Sequence, residues 1–174
     1  MGHIARWLPW VAAFAIVGQS GASQSSSDVQ AIEQGRYLFL LDDQDRQAIR
    51  RDALQYLARV DQGATDRAAM TELFDESPCA GRQGLVRDQF VANIGRARGA
   101  LGAPLRRTLE SVSGGFRLLP ASPRESRYAI AVFDVTFAES KLFQTEQVTL
   151  EFFPERQRWG FCGYYLGVKP YYVY

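Results

Sequence analysis

The chain changes its hydrophobic period once, after Gly102, and that change constrains the fold more than any other feature. Before it, apolar residues recur at helical steps. After it, residues 127–137, 145–153 and 157–166 are rich in β-branched and aromatic side chains, the composition of strands. Residues 105–112 and 116–119 also look extended, separated by Ser113-Gly114-Gly115. The connections 138–144 and 154–156 suit hairpins. Helices followed by strands predict an α+β fold, with N-terminal helices packed on one face of a C-terminal four-stranded antiparallel sheet.

The hairpins can be registered from the sequence. With Phe137 opposite Gln144 and Phe153 opposite Arg158, one face carries Ala129, Ala131, Phe133, Val135, Phe137, Val148, Leu150, Phe152, Trp159, Phe161 and Tyr165. Helices are expected to cover this face. The other carries Asp134, Thr136, Thr145, Gln147, Thr149, Glu151 and Arg158 and is expected to be solvated. A slip of one residue would exchange the faces.

The helical part divides at its own stop signals. A short helix is predicted over 28–41, capped by Asp28. A second begins at Asp45, carries Ile49, Ala53, Tyr56 and Val60 on one side, and ends at Gly63. Thr65 or Asp66 caps a third, bearing Met70, Leu73 and Phe74, which closes before Pro78 and Gly81. The last spans about 85–101, with Val86, Phe90, Ile94, Ala97 and Leu101 as its stripe.

Residues 1–22 read as a signal peptide. Arg6 supplies a positive start, residues 7–17 are apolar except for Pro9, and Ser20-Gly21-Ala22 fits signal-peptidase cleavage before Ser23. The apolar stretch falls short of the ~20 residues that cross a bilayer as a helix. No stable membrane span is therefore expected after cleavage. Residues 23–27 read as a disordered linker and 28–174 as one α+β domain. The whole chain has 20 basic and 19 acidic residues, so losing Arg6 leaves the two signs equal. Such a balance gives no reason to expect a nucleic-acid partner.

His3 is the only histidine and would leave with the signal. Serine–histidine and cysteine–histidine catalysis are then excluded. Two cysteines are too few thiolates for an ordinary zinc site. The expectation is no catalytic residue, no metal and no cofactor.

An ordered set of motifs lies over about residues 50–166. These are ALQYLARVDQG from Ala53 to Gly63, Arg98-x-x-x-Gly102 followed by Arg107, and Leu119-Pro120-x-x-Pro123 followed by Tyr128. Phe133-x-x-x-Phe137, Glu146-x-Val148-x-Leu150 and Trp159-x-x-x-Gly163-Tyr164 complete it. In order and spacing the set resembles the family called domain of unknown function 4019. The resemblance implies a secreted or periplasmic bacterial protein with a cystatin-like or nuclear-transport-factor-2-like arrangement. It implies no particular activity.

Glu146 is an acid on the otherwise apolar face. It is either an acid–base or ligand-binding group in a cavity, or one half of an ion pair with Arg98 or Arg107; pairing is the commoner fate of a buried charge. Arg82, Arg87, Arg96, Arg98, Arg106 and Arg107 can be read as an anion-binding patch or as a solvated face. Only two basic residues are lysines, so arginine richness belongs to the whole chain and favours the second reading. Tyr164, Tyr165, Tyr171, Tyr172 and Tyr174, with Trp159, are aromatic candidates for a partner surface or for stacking on a sugar, or for plain packing of a sheet edge and tail.

Cys79 and Cys162 are expected to form a disulfide, because an exported chain meets an oxidising compartment. The hand-built register places Cys162 opposite Thr149 on the solvated face. A bridge then needs the loop 78–84 to wrap round the sheet edge, or the register to be wrong by one; otherwise both thiols stay unpaired. The functional expectation is a non-catalytic binding or interaction domain whose partner is an unknown protein or small ligand. The alternatives are a cavity enzyme using Glu146, with Asp134 or a tyrosine as its partner, and an accessory subunit binding through its last strand and tail.

Overall fold

The computed structural model describes residues 41–77, 79, 86–116, 119 and 125–169. The expected signal peptide, linker and helix before Leu41, with Arg82, Tyr171, Tyr172 and Tyr174, lie outside the described residues. The helices are α1 (Asp43–Gly63), α2 (Arg67–Glu76) and α3 (Arg87–Gly99). The strands are β1 (Pro104–Phe116), β2 (Tyr128–Phe137), β3 (Gln144–Phe153) and β4 (Arg158–Val168). They form one antiparallel sheet in the order β1-β2-β3-β4, with the helices on one face. This is the α+β fold expected from the change of period. None of the described helices is long and apolar enough to cross a membrane.

The helices start where short acceptor side chains can satisfy free amides. Asp42, rather than the expected Asp45, caps α1 and accepts from the Asp45 amide at 2.7 Å. Asp45 sits in the first turn, where a negative charge suits the helix dipole. Asp66 caps α2 through the amides of Ala68 and Ala69. Gly63 lets α2 fold back closely, since a Cβ there would lie 2.7 Å from Met70 Cε and 3.1 Å from Met70 Cα. Ile49, Ala53, Leu57 and Val60 of α1 are fully buried against Ala131, Phe133, Val148, Leu150 and Trp159. Burying each large side chain there contributes ~1.5–3 kcal/mol.

The stripe expected on α3 is corrected. Its buried residues are Val91, Ile94 and Arg98, whereas Ala97 is exposed and Val86 is 54% exposed. The inward face is thus turned towards an arginine, which pattern reading puts outside.

The extended segments 105–112 and 116–119 are also corrected: Pro104–Phe116 is one strand. Its register against β2 shifts between Gly114 and Phe116, and Gly115 has a φ of 81°, so the glycine pair makes a bulge rather than a break. Gly114 leaves room for Leu41, since a Cβ there would lie 2.5 Å from Leu41 Cδ1 and the leucine side chain would have to shift.

The expected register is right in the faces of β2, of β3 and of β4 as far as Phe161, and wrong in two details. Val135, not Phe137, opposes Gln144. Phe137 pairs with Pro104 instead, and the amides of Ala138 and Glu139 donate to Ala103 and Leu101 carbonyls (2.9 Å each), which draws the hairpin away from β3. A slip of two keeps every side chain on its face. Phe153 opposes Arg158 as expected, but the pairing shifts from Leu150↔Phe161 to Thr149↔Gly163. Cys162 is the extra residue of a bulge. Beyond it the alternation inverts, so Tyr164 turns to the covered face and Tyr165 is 49% exposed on the other.

Candidate functional site

Five elements send one polar side chain each to a single point beneath the helices: Asp61 from α1, Arg98 from α3, Arg107 from β1, Glu146 from β3 and Tyr164 from β4. Arg107 grips both acids. Its Nε and Nη2 donate to the two oxygens of Glu146 at 2.6 and 3.2 Å. Its Nη1 and Nη2 donate to the two oxygens of Asp61, at 3.0 Å each. The Tyr164 hydroxyl donates to Glu146 Oε1 at 2.8 Å. Arg98 donates to Asp61, lies 3.9 Å from Glu146 Oε1 and stacks its guanidinium 4.1 Å from the centre of the Phe137 ring.

The side chains of Glu146 and Arg98 are 0% and 1% exposed, so the charges are held by each other and not by water. Two arginines meet two carboxylates, and the set is neutral. Burial alone would lower the pKa of Arg107, but the hydrogen bonds to Asp61 and Glu146 outweigh it and hold the guanidinium charged above its ordinary value. Tyr164 is pushed well above the ordinary tyrosine range, first by burial and then by the negative charge of Glu146.

A second polar contact ties α1 to the start of β4. Asp52 is buried; its Oδ2 accepts from the Trp159 amide at 3.2 Å and its Oδ1 from Arg51 Nε at 2.8 Å. Tyr56 donates to the Trp159 carbonyl at 3.3 Å. The Arg127 guanidinium, paired with Asp45 at 3.0 Å, lies over the rings of Phe152 and Trp159.

On the other face of the sheet, Cys79 and Cys162 form a disulfide, with Cα atoms 4.9 Å apart. They pack with Tyr128, Phe116 and Leu119. Ser77 marks the route: its hydroxyl donates to the Phe161 carbonyl on the edge strand at 2.7 Å, and Cys79 follows on the far side. The expected obstacle is therefore met by wrapping the edge of β4, and Cys162 is 1% exposed instead of solvated. Glu151, also placed on the solvated face by alternation, is 0% exposed beside the bridge.

The sequence candidates thus separate. Glu146, Arg98 and Arg107 come together. Trp159 is buried near the other end of β4 against Phe152, and Tyr165 faces away. Asp134 is on the uncovered face, gripped by Lys169 Nζ at 2.8 and 2.9 Å. The arginines do not form one patch: Arg98 and Arg107 point inward, Arg87 pairs with Asp75 at 3.2 Å, and Arg96 and Arg106 are exposed. Asp61 escaped sequence reading, and Tyr164 was expected in an aromatic cluster rather than as a partner of Glu146. Two arginines turned into a core require a second acid, and Asp61 stands one residue from the buried Val60; that was the available signal. Tyr164 was hidden by the bulge.

Fold and site define a small α+β domain with helices on one face of a four-stranded meander, a neutral charge network inside and a disulfide across the sheet edge. The profile of a family described as protein of unknown function (DUF4019) matches residues 52–164, and the chain belongs to that family. No curated protein and no solved structure matches it.

Proposed function

We propose that the chain works outside the cytoplasm, in the periplasm or beyond, as a non-catalytic binding domain. The observation that carries this reading is the closure of the Glu146 network. Both Glu146 oxygens are engaged, by Arg107 and Tyr164, inside a charge-balanced set. A general base needs a lone pair facing a substrate, and here the lone pairs face the protein. This weighs against the cavity enzyme. The disulfide favours an oxidising compartment.

The binding surface we propose is the uncovered face, where Arg106, Thr108, Thr136, Gln147 and Tyr165 stand on four adjacent strands. The partner would be a protein with a polar surface. The test is site-specific photo-cross-linking in the exporting host, from Gln147 and from Tyr165, with Arg50 on α1 as the control position. One discrete adduct from the sheet positions, lost in Thr136→Arg and absent from the α1 position, supports the reading. Adducts equally abundant from all three positions refute it.

A further inference from the structure

One aromatic ring on the uncovered face has a place shaped for it. Tyr165 of β4 is 49% exposed, and Gly167 lies under its ring. A Cβ on Gly167 would meet Tyr165 Cε1 at 2.9 Å, its hydroxyl at 3.0 Å and its Cζ at 3.2 Å. Residues two apart on a strand share a face, so the side chain leans along β4 onto bare backbone. Among the described residues only Gly102 and Gly115 are glycines of positive φ. The backbone at Gly167 is therefore one that other residues adopt, and the close ring accounts for its glycine. A half-exposed ring held against the strand keeps one side on the protein and turns the other to solvent.

Polar groups border this ring. Gln147 stands directly opposite Tyr165, Thr145 opposite Gly167, and Thr149 opposite Gly163. Opposed side chains on neighbouring strands are in contact range. Among the described residues, the side chains of Gln147, Thr145 and Thr149 and the Tyr165 hydroxyl have no hydrogen-bond partner in the protein. Their donors and acceptors are free for a ligand. Lys169, at the end of β4, is held by two acids, Asp134 and Glu110. That corner therefore carries no net positive charge, which favours a neutral ligand over an anionic one.

We propose that Tyr165, Gln147, Thr145 and Thr149 form a subsite for one pyranose residue of a neutral glycan. The C–H face of the sugar stacks on the open side of the Tyr165 ring. Its hydroxyls, each both donor and acceptor, meet the Gln147 amide and the two threonine hydroxyls at the rim. An apolar ligand would need apolar walls, and these three side chains do not supply them. The subsite shares the surface proposed above for a protein partner and adds a ligand of its own. One stacked ring with a few water-exposed hydrogen bonds holds a sugar in the millimolar range.

The test uses the oxidised exported chain and three neutral probes: cellohexaose, maltohexaose and chitohexaose. Saturation-transfer NMR reads the sugar, and shifts of the β3 and β4 amide resonances read the protein. At least one probe is expected to bind in the millimolar range, with transfer strongest at ring C–H protons and shifts centred on Tyr165. Tyr165→Ala should weaken binding roughly 10-fold or more, as loss of an aromatic anchor does. Tyr165→Phe should lose far less, because the ring remains. Gly167→Ala leaves every polar group of the subsite in place, yet its Cβ displaces the ring, so it should weaken binding as well. Circular dichroism checks each fold, and Gln147→Ala replaces Gly167→Ala as the second variant if the latter does not fold. The proposal is overturned if no probe binds in the millimolar range, or if binding survives Tyr165→Ala or a folded second variant undiminished. A cross-linked adduct without sugar binding would sink this subsite alone, and sugar binding without an adduct would sink only the protein partner.

Discussion

Removing Arg107 should destabilise this protein more than removing the acid it holds. Arg107→Met deletes four hydrogen bonds, two to Glu146 and two to Asp61. Glu146, with no exposure to water, then keeps only the Tyr164 hydroxyl and an arginine nitrogen 3.9 Å away. Taking one partner from a buried pair costs about 3–5 kcal/mol, because the survivor is a buried uncompensated charge. Glu146→Leu is milder. Arg107 remains bidentate to Asp61 and its side chain is 13% exposed, so water reaches it. The remaining damage is a tyrosine hydroxyl without its acceptor, about 1–3 kcal/mol. In the double variant neither charge is left alone, and the Arg98–Asp61 pair persists. Its cost should resemble that of Glu146→Leu, and should fall below the sum of the single costs by at least ~2 kcal/mol. Urea denaturation of the oxidised protein measures this, provided that the slope stays constant across the four proteins. Equal costs for the two single variants, with an additive double, would show that Glu146 does not depend on Arg107.

Tyr164 should resist ionisation. Below pH ~10 folded and unfolded chains both hold its proton, and nothing is lost; above it the unfolded chain releases a proton that the folded chain keeps, so stability falls as pH rises. An alkaline series of urea midpoints should show this loss, reduced in Tyr164→Phe, with tyrosinate absorbance from Tyr164 appearing only on unfolding. Asp52→Ala should cost about 1–3 kcal/mol, since the Trp159 amide loses a buried acceptor. Asp52→Asn keeps an acceptor and should cost less, as thermal melts would register. Intact mass of the soluble protein from its native host should correspond to a chain starting at Ser23; a soluble form retaining residues 1–22 would contradict the proposed cleavage.

The faces of the sheet were legible because alternation survives a shift of two residues, and the expected register erred by two. Phe133, Val135 and Phe137 kept their places for that reason. The helix caps were nearly legible, as Asp42 and Asp45 lie within one turn. What stayed hidden depends on positions where alternation or amphipathicity fails. Arg98 looks like a surface residue because the property that buries it, a pair of acids from α1 and β3, is tertiary. Glu151 looks solvated by alternation, yet it is buried beside Cys79 and Cys162, and nothing local announces that the chain reaches this face round the edge of β4.

The bulge at Cys162 serves both faces of the sheet. An unbulged β4 would put Tyr165 under the helices and Cys162 opposite Thr149. The inserted residue turns Tyr164 inward, where its hydroxyl meets Glu146, and leaves Cys162 at the bulge beside Cys79 and Glu151. The charge network on one face and the bridge on the other therefore share one backbone irregularity. Bulges re-aim side chains without leaving a signature in composition or period. The motif Trp159-x-x-x-Gly163-Tyr164 encloses this bulge: Trp159 fixes the strand before it through Asp52, Gly163 resumes the pairing with Thr149, and Tyr164 is the first residue on the inverted phase. Its spacing is thus a structural requirement of β4, because one residue more or fewer between Trp159 and Tyr164 would turn the hydroxyl away from Glu146.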